Sequence, residues 1–208
     1  MHLFRIDIRP FLYLLMSVKS IANQSEPKTR MLALVKWYLT SFCAGLKMHP
    51  GKKPLTPIVG ETFLCSWKVQ EGKKPHLVHF VAEQVHNQPP GLLTTSENYA
   101  LDLKLRFAVT AFHVECPSKN ISVSGYISFR CIFTGMSVDI TVSGEMKLHL
   151  ESYDESYEIG FPTVHARSII SKPCIQLGGK VNIQSSKNEC SAVINYPKVS
   201  YFLTAQNQ

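Results

Sequence analysis

No two of the six cysteines (Cys43, Cys65, Cys116, Cys131, Cys174, Cys190) form a Cys-x-x-Cys pair. That removes the spacing on which most zinc sites are built. Most of these cysteines lie inside apolar runs, where a free thiol packs as a small hydrophobe, so a reducing cytosol fits better than three disulfides. No stretch approaches the roughly 20 apolar residues of a membrane-spanning helix. Residues 11–16 are apolar and follow Arg5, Arg9 and Pro10, but the run is short and no small-x-small cleavage site follows it, so no secretory leader is expected. Asn23-Gln24-Ser25 and Asn120-Ile121-Ser122 match the glycosylation pattern and carry no meaning in a cytosolic chain. Internal repeats and low-complexity tracts are missing too.

Reactive constellations are equally scarce. A hydrolase needs a nucleophile, a base and an orienting acid. Cys43 or Ser66 with His79 or His113 supplies the residue types, but no nucleophile-elbow pattern frames them, so an enzyme is not expected. His76 and His79 would face opposite sides of a strand and cannot share a metal there. Glu151, Asp154, Glu155 and Glu158 lack the glycine-centred spacing of a calcium loop and read as a solvated turn.

Acidic residues are also in short supply at one end. Residues 1–80 carry twelve Lys/Arg against four Asp/Glu, whereas residues 81–208 carry ten against eleven. A basic first part beside a near-neutral remainder predicts one face that meets anions such as lipid headgroups or phosphates. Nucleic-acid binding is the alternative from the pI of about 9.1, but the basic residues are spread and no aromatic-basic stacking motif accompanies them.

What is present is a helical start and a long alternating remainder. Met31, Leu34, Val35, Tyr38, Leu39 and Phe42 recur at helical spacing and predict a helix over residues 27–44, with Ser25 as N-cap, Pro27 in the first turn and Gly45 as the stop. A shorter apolar helix is expected over residues 11–22. After Pro57 the period becomes two: Val138, Ile140 and Val142 alternate with polar residues, as do Met146, Leu148 and Leu150. Residues 121–133, 157–161, 180–184 and 190–196 also read as strands, the last two joined by a turn near Lys187-Asn188. Many short strands without intervening helices predict an antiparallel meander. Residues 91–107 read as an inserted loop or short hairpin, long for a plain connection.

Two segments say most about function. The first reads Lys52-Lys53-Pro54-Leu55-Thr56-Pro57-Ile58-Val59-Gly60-Glu61-Thr62-Phe63; the second reads Glu83-Gln84-Val85-His86-Asn87-Gln88-Pro89-Pro90. They resemble the Lys-Pro-x-Asn-Pro-x-x-Gly-Glu and Glu-Gln-Val-Ser-His-His-Pro-Pro motifs of the oxysterol-binding protein family, whose lipid-binding domain the chain resembles from about residue 16 to 196. Lys36-Trp37-Tyr38-Leu39, Phe133-Thr134-Gly135-Met136-Ser137, Tyr153-Asp154-Glu155-Ser156-Tyr157 and Leu177-Gly178-Gly179-Lys180 extend the likeness. The pattern is nearest to the subgroup carrying phospholipids such as phosphatidylserine.

The resemblance implies one lipid-binding domain over residues 1–208. Residues 1–46 would form its helical element and residues 47–208 a mainly β portion, a large incomplete antiparallel β-barrel enclosing a hydrophobic lipid tunnel. Alternation is compatible with this, one face lining the tunnel and the other solvated. Withdrawing hydrocarbon from water gains about 0.8 kcal/mol per buried CH₂. By motif position, Lys53 would act as a point charge on a headgroup phosphate, with Thr56 in place of the family's asparagine. Asn87 and Gln88 replace the paired histidines, and neither amide can become cationic. His86, in the serine position, is the remaining candidate to reach the phosphate. Lys52, Pro54, Pro57, Gly60, Glu61, Glu83, Gln84, Pro89 and Pro90 complete the motifs. The family's late headgroup-clamping lysine, glutamate and arginine have no counterpart before Gln208, and its lid is unrecognisable unless residues 4–15 replace it. These departures fit a divergent short form, a fragment or an imperfect gene model.

The expected function is binding and transfer of a sterol or a phospholipid such as phosphatidylserine between intracellular membranes, with weakened phosphoinositide recognition. The lipid is cargo, and no other cofactor is expected. Cytoplasmic residence with peripheral attachment to anionic membranes follows, Lys47, Lys52, Lys53, Lys73 and Lys74 each contributing about 1 kcal/mol. The alternative is a non-transferring scaffold at membrane contacts.

Overall fold

The computed structural model of the chain describes residues 21–46, 57–71, 74–88, 107–133, 137–167 and 174–197. Among the described residues, helix α1 (Pro27–Leu46) precedes ten strands: β1 (Thr62–Glu71), β2 (Lys74–Gln88), β3 (Phe107–Cys116), β4 (Ile121–Phe133), β5 (Ser137–Leu150), β6 (Glu155–Ile159), β7 (Thr163–Arg167), β8 (Cys174–Gly178), β9 (Lys180–Ser185) and β10 (Ser191–Asn195). They form a single antiparallel sheet in the order β1-β2-β3-β4-β5-β6-β9-β10. The far edge of β5 is shared: Ser137 to Ile140 pair with β7, which carries β8, while Met146 to Leu150 pair with β6. The sheet is therefore large, antiparallel and unclosed, as expected of an incomplete barrel.

Two hairpins use the same local solution. A 3-10 turn, Pro117–Lys119 or Glu151–Tyr153, is followed by a residue in the left-handed region, Asn120 at φ 53° or Asp154 at φ 50°. Short polar side chains tolerate that region best, which places Asn and Asp there. The two turns are joined, Glu151 N–H donating to the Asn120 carbonyl at 3.0 Å.

β4 and β5 run side by side over thirteen pairs. Their spacing requires glycine twice. A Cβ on Gly125 would sit 2.3 Å from the Glu145 carbonyl oxygen, and one on Gly144 would sit 2.1 Å from that of Tyr126. Gly144, at φ 142°, also lets two alternating runs that read separately in the sequence continue as one strand.

Alternation builds the core. Val78, Phe80, Ala82, Phe112, Val114, Ile121, Val123, Met146, Leu148, Leu150, Tyr157, Ile159, Val181 and Ile183 are buried in one cluster with Met31, Leu34, Trp37 and Tyr38 of α1 and with Ile21. The helix is two residues longer than the apolar period predicts, and it begins at Pro27, one residue after the position that Ser25 would cap. Its buried stripe also differs. Trp37 is buried while Leu39 is exposed, because the stripe rotates towards the sheet neighbours. The short helix expected over residues 11–22 is described only at Ile21 and Ala22, which are helical. Residues 91–106 of the expected insertion lie outside the described residues, whereas Phe107 already belongs to β3.

An ion pair fixes α1 to the sheet. Arg30 donates from Nε and Nη2 to the two Glu155 carboxylate oxygens, both at 2.8 Å, and from Nη1 to the Gln24 and Ser25 carbonyls. Tyr157 Oη donates to Glu155 Oε2 at 2.8 Å, Asn188 Nδ2 donates to Oε1, and the Arg30 guanidinium lies 4.1 Å over the Tyr153 ring. Burial alone would raise the Glu155 pKa, but the hydrogen bonds from Arg30, Tyr157 and Asn188 and the Arg30 charge prevail and lower it. The hydrogen bonds that Arg30 donates to Glu155 likewise raise the Arg30 pKa against its desolvation. The reading of Glu155 as part of a solvated turn is corrected here: it is 2% exposed. Its partner lies 125 positions away, beyond any local pattern.

Candidate functional site

The two motif segments meet at one corner of the sheet. Pro57 to Glu61 form a turn immediately before β1, and Glu83 to Gln88 are the last residues of β2. Inside the turn, Glu61 N–H donates to the Ile58 carbonyl at 3.0 Å, and Ile58 N–H donates to Glu61 Oε2 at 3.1 Å. Gly60 occupies φ 83°, the left-handed region that the third position of such a turn demands.

Three further bonds fasten the turn to β2. Gly60 N–H donates to the Gln84 carbonyl at 2.8 Å, Gln84 N–H donates to the Glu61 carbonyl at 3.0 Å, and Asn87 Nδ2 donates to the Pro57 carbonyl at 3.0 Å. Gln84 itself is buried, and its side chain is satisfied on both sides. Its Nε2 donates to the His86 carbonyl and its Oε1 accepts from Thr110 Oγ1, both at 2.7 Å. A buried amide left without partners would cost about 1–3 kcal/mol, so these bonds hold the end of β2 in one arrangement.

A bulge sets which way the motif points. The register against β3 shifts between Gln84 and His86, so that Gln84 pairs with Thr110 and His86 with Val109. One extra residue, Val85, is thereby inserted. Past it, exposed His86 shares its ladder position with Val109, and half-buried Asn87 shares its own with Ala108.

Of the sequence-predicted headgroup residues, His86 and Asn87 are placed beside the turn, and Gln88 ends β2 opposite Phe107. Lys53 and Thr56, with Lys52, Pro54, Pro89 and Pro90, lie outside the described residues. The amide of Asn87 spends one donor on the Pro57 carbonyl, a role the sequence did not reveal. Glu83 is exposed on the outer face, level with Thr62.

Below this corner the inner face of the sheet is apolar and partly open. Phe63, Cys65 and Trp67 of β1 face the core cluster but are only half-buried. The Phe63 and Trp67 rings lie 6.1 and 6.0 Å from that of Phe80, a spacing typical of tilted aromatic pairs. Burial pushes the Cys65 thiol up, which keeps it neutral. Cys65, Cys116 and Cys190 are free thiols.

The outer face of the same strands carries a separate open groove of about 380 Å³. Leu64, Ser66, His79, Val81, His113 and Glu115 line it. Ser66 stands opposite His79, and His79 opposite Glu115, but no hydrogen bond links Ser66 to His79 among the described residues. His76 lies on the inner side, its Nδ1 2.7 Å from Ser118 Oγ, so the strand separates it from His79. No group of three metal-ligating side chains converges among the described residues. No helix among them is long and apolar enough to cross a membrane.

Comparison with known proteins places this architecture. The human oxysterol-binding protein-related protein 9 is 37% identical over 190 residues, covering 84% of this chain and 23% of its own length. The human oxysterol-binding protein-related protein 11 is 32% identical over 207 residues, 85% of this chain and 25% of the relative. The chain thus spans about a quarter of the length of these curated relatives. Among solved structures, the crystal structure of the Osh3 ORD from Saccharomyces cerevisiae, in complex with PI(4)P, superposes with a TM-score of 0.67 at 15% identity, over 95% of this chain and 46% of that one. The Osh1 ORD, crystallised with cholesterol, gives 0.58 at 18% identity, over 86% and 38%. The family model described as oxysterol-binding protein matches residues 11–208. With its two motifs brought to one corner of an open antiparallel sheet, the chain belongs to the oxysterol-binding protein family.

Proposed function

We propose that this chain binds one lipid along the inner face of the sheet, headgroup at the corner made by residues 57–61 and 83–88, and transfers it between intracellular membranes. The observation that carries the reading is the half-buried apolar stripe Phe63, Cys65 and Trp67 directly below that corner. An acyl chain or sterol laid there moves from one apolar environment to another, so extraction from a bilayer carries little hydrophobic penalty. Membership in a family with relatives crystallised around PI(4)P and cholesterol supports a lipid of that general kind. Sterol and phosphatidylserine are the candidate cargoes.

Phosphoinositide recognition is weakened in this reading. Asn87 holds the turn rather than presenting both donors to a ligand, and it has no cationic form. Lys53, Thr56, His86 and Gln88 are the other headgroup candidates, and no catalytic step is assigned. The chain works in the cytoplasm as a peripheral visitor to anionic membranes.

Native mass spectrometry of protein purified from cells should show a co-purified lipid, and liposome assays should show its transfer. Lipid-free spectra from well-folded protein would remove the reading. The scaffold alternative draws on the same Asn87 bond. It predicts no gain in phosphoinositide binding for Asn87→His with Gln88→His, whereas a large gain would reveal a working pocket.

A further inference from the structure

Nine large apolar side chains among the described residues are exposed, and only Ile58 and Val59 are adjacent in the chain, at 71% and 58% exposure. They occupy the turn fastened to β2, and Val85, 44% exposed, is the bulge residue next to Gln84, which holds that turn. Three exposed apolar side chains thus share one corner.

Most backbone groups of this turn are hydrogen-bonded within the protein. The N–H groups of Ile58, Gly60 and Glu61 all donate within the protein, the carbonyls of Pro57, Ile58 and Glu61 all accept, and Pro57 has no N–H to satisfy. Burying unpaired backbone groups in lipid is what normally keeps loops out of bilayers. Among the described residues that obstacle is reduced here to the Val59 N–H and carbonyl and the Gly60 carbonyl at the tip, and the hydrogen bonds to Gln84 and Asn87 fasten the turn.

We infer that Ile58 and Val59, with Val85 beside them, insert into the outer layer of an anionic bilayer and dock the chain beside its headgroup corner. Charge selects this occupant over a protein groove. The first eighty residues carry a net charge of +8, and two lysines precede the turn in sequence. The Glu61 carboxylate is engaged by Ile58 N–H, which leaves Glu83 as the exposed acid among the described residues of this corner. The inference rests on the lipid-binding reading but names a different surface from the cargo face.

The experiment uses the full chain with phosphatidylcholine vesicles containing phosphatidylserine. Ile58→Asp combined with Val59→Asp should lower vesicle binding about tenfold or more, since each change replaces a lipid-seeking side chain by a carboxylate that the bilayer repels. Val193→Asp, at a 52% exposed position on β10, should leave binding unchanged. Ile58→Trp should be quenched by brominated lipids and Val193→Trp should not. Cargo occupancy by native mass spectrometry should survive the double aspartate variant. Unchanged vesicle binding in that variant, equal quenching at positions 58 and 193, or an unmodified chain that ignores vesicles overturns the inference. An unmodified chain that binds vesicles yet co-purifies with no lipid strikes the lipid-transfer reading instead and leaves the docking surface standing.

Discussion

On the β5-β6-β9 side of the sheet, α1 closes over the inner face: Leu34, Leu148 and Ile183 show no exposure, and Tyr157 and Ile159 show 1%. On the β1 side, Phe63, Cys65 and Trp67 project the same way from the same sheet yet stay half-buried. Polar groups divide in the same manner. Arg30 and Glu155 are sealed inside the first region, whereas the corner at residues 57–61 and 83–88 keeps His86 and Glu83 in water. Stability is lodged where the helix is latched, and the region carrying the motifs has surface left to give to a ligand.

Removing the latch should have the largest effect. Glu155→Ala leaves Arg30 charged and buried without its partner, and about 3–5 kcal/mol of stability should be lost in urea titrations. Replacing both members by apolar residues, Arg30→Met with Glu155→Leu, should recover most of that loss. Acid should imitate the single change. The folded pKa of Glu155 lies below its unfolded value of about 4.3, so its contribution is complete above that value and disappears as pH falls through the lower, folded one. The stability gap between the native chain and Glu155→Gln should therefore shrink below about pH 4.

Next in size, Leu148→Ala should cost about 2–5 kcal/mol and leave bound lipid in the fraction that remains folded. Trp67→Ala should do the reverse. Part of its ring already meets water, so the stability loss should be nearer 1–2 kcal/mol, while co-purified lipid falls sharply. Equal stability losses at both positions would erase the distinction between the two regions.

The smallest effects belong to the corner. Asn87→Ala removes one bond to the turn and should cost about 1 kcal/mol. Gly60→Ala meets no atom within 4 Å, so only the left-handed backbone resists it, at about 1 kcal/mol. Both should raise hydrogen exchange at positions 60 and 61 without changing protection in β6 or β9.

Much of the fold is legible in the sequence, and particular residues show why. β4 spans residues 121–133 as expected, because Ile121, Val123, Ile127 and Phe129 keep one period-two phase across Gly125. β5 reads as two runs because Gly144 interrupts the side-chain pattern, although it does not interrupt the ladder. Helical spacing favours Leu39 over Trp37, since it defines a stripe only to within a residue and the sheet chooses its centre. The Arg30–Glu155 pair leaves no trace, both residues looking like ordinary surface charges. At the corner, the motifs identify the segments, while the use of Asn87 as a fastener depends on a register shift that composition does not encode.

That register shift carries an evolutionary consequence. A strand alternates strictly in twos, so the residue inserted at Val85 inverts the facing of everything after it. Deleting Val85 alone would restore the simple beat and exchange the sides on which His86 and Asn87 stand. A single codon therefore decides which of two neighbouring side chains meets the turn.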